Sequence, residues 1–251
     1  MKNQLFIFLT TFIFLNSCGL AKESFTGKTI QYKTTDDVTV TADLYKISKT
    51  DAPYILLFHQ AAFSRGEYRE IAPQLNQMGF NCLAADQRSG ITVNGVKNET
   101  NKSAKKLGKS TKYIDAIQDL IATYLYAKNT LKAKKIIIWG SSYSASLVLH
   151  LAGLYPNNIK GVLSFSPGEY FKIKTHSIAD EAKKIKCPVF ITSAKNEQKD
   201  WQNIYDNITS KKTFFIPSKN GNHGSKALWK KHESHQEYWL AVKSFLSHFI
   251  D

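Results

Sequence analysis

The chain has 251 residues, of which 43% are hydrophobic and 22% are charged, an ordinary composition for a globular protein. Lys and Arg number 34 against 20 Asp and Glu, giving a formal net charge of +14. The lysines are scattered and do not form one stripe interleaved with aromatic residues, which argues against nucleic-acid binding. We interpret the positive charge as that of a lysine-rich, solvated surface. The alternative is that the charge attracts an anionic substrate or an anionic lipid surface.

The N-terminal segment has the features of an export signal. Lys2 precedes an apolar run over residues 5–15 that is too short to span a bilayer comfortably, and Asn16-Ser17-Cys18 follows. Residues 15–18 resemble a bacterial lipobox, in which the cysteine becomes the lipidated first residue of the mature protein. An ordinary signal peptide with an incidental cysteine is the alternative.

The lipobox resemblance implies a signal peptide over residues 1–17, a diacylglyceryl anchor on Cys18 and a short tether over residues 18–26. A single folded domain would then occupy residues 27–251. We therefore expect an exported bacterial protein, anchored at a membrane on its periplasmic or cell-surface side. No later segment is apolar enough to cross a bilayer.

Within the domain, alternating polar and apolar residues around Asp36-Asp37 predict an opening hairpin. Continuous apolar runs, typical of strands buried on both faces, cover residues 54–58, 81–85, 135–139, 161–165, 189–192 and 213–216. Helical spacing falls between them, over residues 68–78, 113–128, 143–154, 178–185 and 235–249. This alternation predicts an α/β fold with a mostly parallel, eight-stranded sheet and helices on both faces. Residues 92–112, rich in Lys, Asn, Gly and Ser, are predicted to form a long mobile loop.

A serine-rich turn, Gly140-Ser141-Ser142-Tyr143-Ser144, joins a predicted strand to a predicted helix. Such a sharp turn exposes the Ser142 hydroxyl above the sheet edge and aims the N–H of Tyr143 at a developing oxyanion. The turn needs small residues two positions before and after the nucleophile. Gly140 and Ser144 meet that need, although Ser144 replaces the usual glycine. A serine-rich N-cap of an ordinary strand–helix unit is the alternative.

A histidine follows the predicted strand 213–216, at the sheet edge where active residues of open parallel sheets gather. This residue, His223, lies in a Gly-flanked loop before the last helix and is the predicted general base. His150 is expected to be a satisfied core residue, and His59 to shape the loop after residues 54–58. The remaining histidines lie in connecting or C-terminal polar segments.

The strand ends together resemble the α/β-hydrolase superfamily. The resemblance rests on residues 58–62 (Phe-His-Gln-Ala-Ala), 65–68 (Arg-Gly-Glu-Tyr), 85–90 (Ala-Asp-Gln-Arg-Ser-Gly) and 140–144. Within the superfamily, the chain is most similar to small, lid-poor members related to dienelactone hydrolases. The resemblance implies that Ala61 supplies the second oxyanion N–H, with Gln60 standing where a glycine is usual. Asp86 and Arg88 are interpreted as structural.

In this superfamily the acid of the triad usually lies in a Gly-x-x-Asp turn after the strand before the last. The corresponding strand, 189–192, is followed by Ser193-Ala194-Lys195-Asn196-Glu197, so the aspartate position holds Asn196. Glu197, one residue further along and with a longer side chain, is the predicted acid. Asp200, or no functional acid, are the alternatives.

Residues 166–186 are too few for the helical cap that many hydrolases of this fold insert, so an open site is expected. We expect His59, Gln60, Tyr170 and Phe171 to line it. The aromatic rings of Phe63, Tyr143, Tyr170 and Phe171 either line an acyl or aryl pocket there or belong to ordinary packing. Cys82 and Cys187 are interpreted as structural.

The predicted activity is hydrolysis of a small-molecule carboxylic ester or thioester through an acyl-enzyme, and this chemistry implies no metal or cofactor. One alternative is a non-catalytic surface lipoprotein that uses the fold for binding. The other is a small peptidase of the prolyl-oligopeptidase type. The sequence leaves the oligomeric state open.

Overall fold

The structure is a computed structural model that describes residues 27–250. The predicted signal segment, the tether and Cys18 lie outside these residues. The strands of the large sheet are β1 (Lys28–Lys33), β2 (Thr39–Tyr45), β3 (Tyr54–Phe58), β4 (Asn81–Ala85), β7 (Ile136–Ser141), β8 (Ile159–Phe165), β9 (Val189–Thr192) and β10 (Lys212–Phe215), and a small hairpin contains β5 (Thr92–Val93) and β6 (Val96–Lys97).

The large sheet has eight strands in the order β1-β2-β4-β3-β7-β8-β9-β10. The first two form the predicted antiparallel hairpin, and β2 also pairs antiparallel with β4. All the other neighbours are parallel. The predicted α/β fold with a mostly parallel, eight-stranded sheet is therefore confirmed. Because parallel strands end at one edge, the loops after β3, β7, β8 and β9 lie close together.

Helices cover both faces of the sheet, as predicted. They are α1 (Ile71–Gln77), α2 (Glu99–Lys106), α3 (Ile117–Asn129), α4 (Tyr143–Leu154), α5 (Ile178–Ala182), α6 (Gln198–Asn207) and α7 (His235–Leu246). Successive side chains of the central strand β3 point to opposite faces of the sheet. On one face, Ile55 and Leu57 belong to the same hydrophobic cluster as residues of α1 and α7. On the other face, Leu56 and Phe58 belong to a cluster with residues of α3, α4, α5 and α6. Each such side chain contributes about 1.5–3 kcal/mol on burial.

The prediction of a long mobile loop over residues 92–112 is wrong. Asn94 and Gly95 both have positive φ, 50° and 72°, and connect β5 to β6 in a two-residue hairpin turn. Asn98 then caps α2 by accepting a hydrogen bond from the Asn101 N–H at 2.8 Å. Side chains of α2 dock on β2, where Thr100 Oγ1 accepts from the Thr41 N–H at 2.9 Å. Local turn chemistry and these contacts therefore order a segment whose composition is that of a loop.

Most predicted elements differ from the observed ones by a few residues at their ends. The elements that were not predicted are β5, β6 and α2, all within residues 92–112, and α6, in which Trp201 and Ile204 bury one face. Cys82 and Cys187 are both free and buried. The connection from β8 to β9 holds only the short helix α5, so the domain has no large cap, as predicted. Between residues 27 and 250, no helix is long and apolar enough to cross a membrane.

Candidate active site

Ser142 lies at the junction between β7 and α4. Its backbone has φ 59° and ψ −125°, on the positive-φ side that L-residues rarely adopt. The Ser142 N–H donates to the carbonyl of Phe165, at the end of the neighbouring strand β8, at 2.7 Å. This conformation turns the chain from strand to helix within one residue. It holds the hydroxyl at the carboxyl edge of the sheet, as the sequence predicts.

Small residues flank this turn because the strand and the helix nearly touch there. A Cβ added to Gly140 would lie 2.2 Å from the carbonyl oxygen of Ser144, so no side chain fits at position 140. Ser144, which replaces the second glycine of the usual motif, is fully buried. Its hydroxyl accepts from the Ser141 N–H at 2.8 Å and lies 2.7 Å from the Phe58 carbonyl, to which it donates. The extra hydroxymethyl group is thus accommodated by hydrogen bonds.

His223 contacts both Ser142 and Glu197. Its Nε2 lies 2.8 Å from Ser142 Oγ, and its Nδ1 lies 2.7 Å from Glu197 Oε1. An ionised Glu197 can only accept a hydrogen bond, so the proton of the neutral imidazole belongs on Nδ1. The Nε2 lone pair then faces the Ser142 hydroxyl, which donates to it. This arrangement can remove a proton from the serine oxygen.

Glu197 ends the short 3₁₀ helix Lys195–Glu197 that follows β9. Burial raises the pKa of this carboxyl, but hydrogen bonds from His223 and Ser166 outweigh that effect and hold the pKa below its ordinary value. The group is therefore ionised at neutral pH. The neighbouring Asn196 is exposed, and so is Asp200, on the first turn of α6. The structure places Glu197, and neither of these two, against His223.

The two predicted oxyanion donors lie on adjacent loops. In the sheet Phe58 pairs with Gly140. Ala61 lies three residues after Phe58, and Tyr143 lies three residues after Gly140. Tyr143 is the first residue of α4, where backbone N–H groups have no acceptor within the helix. Ala61 lies in the loop after β3. The topology therefore brings both backbone N–H groups to the edge of the sheet that carries Ser142.

The prediction that His59 lines the substrate pocket is wrong. The ring is fully buried, and it contacts the Gln60 carbonyl through Nδ1 at 2.8 Å and accepts from the Gln87 N–H through Nε2 at 2.9 Å. Burial lowers the pKa of His59 to about 4, so the ring is neutral at physiological pH. Both ring nitrogens are occupied by the backbone, so His59 supports the loop after β3 from behind and does not face a substrate.

The other predicted lining residues differ in their exposure. Gln60 is buried next to Gly224, where an added Cβ would lie 2.6 Å from Gln60 Oε1. Tyr170 is 41% exposed and donates to the Ser166 carbonyl at 2.9 Å. Burial raises the pKa of Tyr170, and the nearby Ser142 side chain partly offsets this rise. Phe171 is half-buried and packs against the core. Tyr170 is thus the predicted lining residue that lies beside Ser142.

The other two aromatic candidates, Tyr143 and Phe63, take part in packing. The Tyr143 ring is fully buried; it stacks on Tyr113 at 4.6 Å between centroids, and its hydroxyl accepts from Ser89 Oγ at 2.6 Å. Phe63 stacks on Trp229 at 6.0 Å. Tyr113, the stacking partner of Tyr143, is itself 41% exposed.

The loop after β4 is tied down by ion pairs, in line with its structural interpretation. Asp86 accepts from the Arg65 backbone N–H and guanidinium, both at 2.7 Å. Arg88 lies against Asp119 at 2.9 Å and Asp36 at 2.8 Å. Because Arg65, Arg88 and Asp119 are buried, removing either partner of a pair would leave a charge uncompensated.

Sequence reasoning missed Ser166 and Glu67. Ser166 follows β8 directly, and the rule that active residues gather at strand ends could have indicated it. Its hydroxyl donates to Glu197 Oε2 at 2.7 Å. Glu67 has no role of its own in the motif at residues 65–68, and the structure buries it completely.

Comparison with known proteins identifies the family. A sequence model described as the alpha/beta hydrolase fold matches residues 53–185, which is more than half of the 251 residues. The chain therefore belongs to the α/β-hydrolase fold family, as the strand-end motifs predict. No protein of curated function matches the chain in sequence.

Solved structures share this fold. An esterase from Pyrococcus furiosus superimposes with a TM-score of 0.68 at 20% identity, covering 89% of this chain and 93% of the esterase. A dienelactone hydrolase from Anabaena variabilis gives 0.64 at 14% identity, covering 88% and 98%. An acylaminoacyl peptidase from Pyrococcus horikoshii gives 0.62 at 13% identity, covering 88% of this chain but only 41% of the peptidase.

Proposed function

We propose that this chain is a serine hydrolase that cleaves carboxylic esters or thioesters through Ser142, His223 and Glu197. The observation that carries the proposal is the position of the His223 ring, whose Nε2 is 2.8 Å from Ser142 Oγ and whose Nδ1 is 2.7 Å from Glu197 Oε1. One imidazole in contact with both a serine oxygen and a carboxylate is the arrangement that acyl transfer uses. The resemblance in fold to an esterase and a dienelactone hydrolase supports the same class of chemistry.

In the proposed acylation step, Ser142 Oγ attacks the substrate carbonyl carbon while His223 Nε2 accepts the hydroxyl proton. Glu197 stabilises the imidazolium that results and keeps its Nδ1–H in place. The negative charge that develops on the carbonyl oxygen is stabilised by the backbone N–H groups of Ala61 and Tyr143. Collapse of the tetrahedral intermediate breaks the bond to the alkoxide or thiolate, which takes the proton from Nε2.

In deacylation a water molecule takes the place of the leaving group. His223 accepts a proton from this water as it attacks the acyl carbon, and returns the proton to Ser142 Oγ when the acid product leaves. The same two N–H groups stabilise the second tetrahedral intermediate. Since no cap domain covers the sheet edge, an acyl or leaving group approaches across Tyr170, which lies beside Ser142.

A fluorophosphonate probe tests the proposal directly, because it reacts only with an activated serine. We expect labelling of the wild-type chain and none of Ser142→Ala. The matched control is Ser164→Ala, which removes another buried serine hydroxyl, one that donates to the Ala145 carbonyl at 3.1 Å. This control should label like the wild type. A folded wild-type chain that neither labels nor hydrolyses p-nitrophenyl acetate would refute the proposal.

The peptidase alternative is separated by substrate choice. The chain corresponds to only 41% of the Pyrococcus horikoshii acylaminoacyl peptidase with which it shares its fold. We expect hydrolysis of p-nitrophenyl acetate to exceed that of acyl-peptide p-nitroanilides by at least about 100-fold in kcat/KM, an amount that corresponds to roughly 2.7 kcal/mol of transition-state stabilisation. Comparable values for the two substrates would favour the peptidase.

We also propose that Cys18 carries a lipid anchor and that the protein is exported to a membrane surface. Several acyl chains, at about 0.8 kcal/mol per buried methylene, would hold it there firmly. The support is the apolar run over residues 5–15 followed by Asn16-Ser17-Cys18. Expressed in a bacterium, the full chain should partition into a Triton X-114 detergent phase, and Cys18→Ala should move to the aqueous phase. Equal partitioning of both would contradict the anchor.

A further inference from the structure

Glu67 is a fully buried carboxylate directly behind the Ser142 turn, and the reaction described above does not use it. Each of its oxygens accepts one hydrogen bond from a different loop. The Gln60 N–H donates to Oε2 at 2.8 Å, and the Ser141 hydroxyl donates to Oε1 at 2.8 Å. Gln60 precedes the proposed oxyanion donor Ala61, and Ser141 precedes the proposed nucleophile. One carboxylate therefore joins the two chain segments between which an oxyanion would lie.

The same contact extends to the histidine loop. Ser141 Oγ accepts a hydrogen bond from the Ser225 N–H at 2.8 Å, and Ser225 follows His223 by two residues. The Ser141 hydroxyl thus accepts from the Ser225 N–H and donates its own proton to Glu67. The Gln60 N–H is likewise a donor, so the position requires a group that accepts on both atoms. A carboxylate meets this need, whereas an amide offers one acceptor and one donor.

The element that carries Glu67 is firmly held. It is the 3₁₀ helix Arg65–Tyr68, whose preceding residue Ser64 accepts from the Gly66 N–H at 3.2 Å. Arg65 forms buried ion pairs with Asp86 and Asp43. The Glu67 carbonyl accepts from Trp229 Nε1 at 2.9 Å. A side chain on such a support can fix the position of the loops that bind it.

We infer that Glu67 is a positioning residue for the oxyanion hole, holding the backbone of Gln60, and with it the Ala61 N–H, in register with Ser142. This inference rests on the proposed serine-hydrolase function. Glu67 does not touch the substrate. It acts by fixing the distance between two backbone donors, on which stabilisation of the transition state depends.

Two substitutions of Glu67 and one control test the inference. Glu67→Leu leaves the Gln60 N–H and the Ser141 hydroxyl without an acceptor. Glu67→Gln keeps one acceptor, for the Gln60 N–H. Asp119→Asn is the matched control, because it also removes a buried carboxylate charge, one that binds Arg88 away from Gln60 and Ser141. It should lower the unfolding temperature without changing the oxyanion loop.

For p-nitrophenyl acetate we expect Glu67→Leu to lower kcat by about 100-fold or more, with KM within about 3-fold, since the loss of one oxyanion donor has this size. Glu67→Gln should lower kcat by about 10-fold. The inhibition constant of a trifluoromethyl ketone, which forms a tetrahedral adduct on a serine, should rise in parallel with each loss. A purely structural role would lower the unfolding temperature, as in Asp119→Asn, and leave that constant unchanged.

The inference is overturned if folded Glu67→Leu keeps kcat and the inhibition constant within about 3-fold of those of Asp119→Asn. If Glu67→Leu does not fold, Glu67→Gln provides the test. The inference is then overturned if kcat and the inhibition constant of the trifluoromethyl ketone are unchanged in Glu67→Gln. Either result with an active wild-type chain leaves the proposed function standing. A wild-type chain without esterase activity or fluorophosphonate labelling overturns the proposed function itself.

Discussion

Ser166 Oγ donates a hydrogen bond to Glu197 Oε2 at 2.7 Å, on the carboxylate oxygen that does not bind His223. The same hydroxyl accepts from the Gly224 N–H at 2.9 Å. Gly224 is the residue after His223, so Ser166 connects the acid to the histidine loop. Both carboxylate oxygens of Glu197 are therefore held by hydrogen bonds, one to His223, which follows β10, and one to Ser166, which follows β8.

We predict that Ser166→Gly lowers kcat/KM for p-nitrophenyl acetate by about 10-fold, because a hydrogen bond to a charged group contributes about 1.5–3 kcal/mol and part of this acts on the acid's orientation. Glycine is chosen because Ser166 has a φ of 56°, which glycine adopts without strain. Steady-state kinetics checks the prediction. Urea unfolding serves as the control, with an expected loss of about 1–3 kcal/mol because the buried Gly224 N–H loses its acceptor. An unaltered kcat/KM would show that Glu197 does not need this partner.

Replacing the acid should have a larger effect. We predict that Glu197→Gln lowers kcat by about 1,000-fold or more, since a neutral amide neither selects the productive tautomer nor stabilises the imidazolium. Asp200→Asn is the matched control, because Asp200 is exposed on α6, three residues after Glu197. The kcat of this variant should stay within about 2-fold of the wild-type value. The assignment fails if Asp200→Asn is the more damaging of the two.

The departure from the usual glycine at position 144 leads to a stability prediction. Ser144→Ala removes the hydroxyl that binds the Ser141 N–H and the Phe58 carbonyl in a fully buried position. We predict a loss of about 1–3 kcal/mol in the free energy of unfolding. Ser144→Gly, which restores the common motif, should lose still more because glycine also weakens the helix. Urea denaturation measures both, and a glycine variant more stable than the wild type would contradict this account.

Glu67 should make stability depend on pH. Burial raises the pKa of this carboxyl to about 7 from an ordinary 4.5, although hydrogen bonds from Gln60 and Ser141 and the nearby charge of Lys226 lower it. Between these two pH values the folded state holds the proton more often than the unfolded state. The stability contributed by this site is therefore fully present below about pH 4.5 and is lost as the pH rises through about 7.

The corresponding measurement compares the wild type with Glu67→Gln, which has no titrating group at position 67. The free energy of unfolding of the wild type minus that of the variant should fall by up to about 3 kcal/mol between pH 4 and pH 8. Urea denaturation at several pH values gives this difference directly. A difference that stays constant or increases with pH would contradict a raised pKa at Glu67.

The sequence is sufficient to predict the sheet and the residues at its carboxyl edge. Strands β3, β4 and β9 begin and end where the apolar runs do, because strands buried on both faces are continuous in apolar residues. Ser142 and Glu197 follow such strands, whereas His223 follows β10, which lies at the sheet edge and is partly exposed, so the expectation that residues 213–216 form a strand buried on both faces is wrong. The structure places His223 within hydrogen-bonding distance of both Ser142 and Glu197. The register of parallel strands accounts for this result, since it gathers strand ends at one edge.

Buried polar contacts could not be predicted in the same way. In the sequence Glu67 has no role of its own and His59 is predicted to be a pocket residue, and only the tertiary packing shows that both are enclosed. The segment over residues 92–112 was misjudged from its composition, although Asn94-Gly95 is a strong local signal for a hairpin turn. Helix α6 was not predicted because most of its residues are polar, although Trp201, Ile204 and Tyr205 have the spacing of a helix face.

The backbone of Ser142, at φ 59° and ψ −125°, has a consequence for how this chain would respond to selection. A non-glycine residue held there costs on the order of 1–3 kcal/mol, and glycine would relieve much of that strain. Ser142→Gly should thus fold more stably than the wild type and lack the proposed nucleophile. Stability and chemistry make opposite demands on this one position, so a screen for thermal resistance alone would enrich the inactive protein.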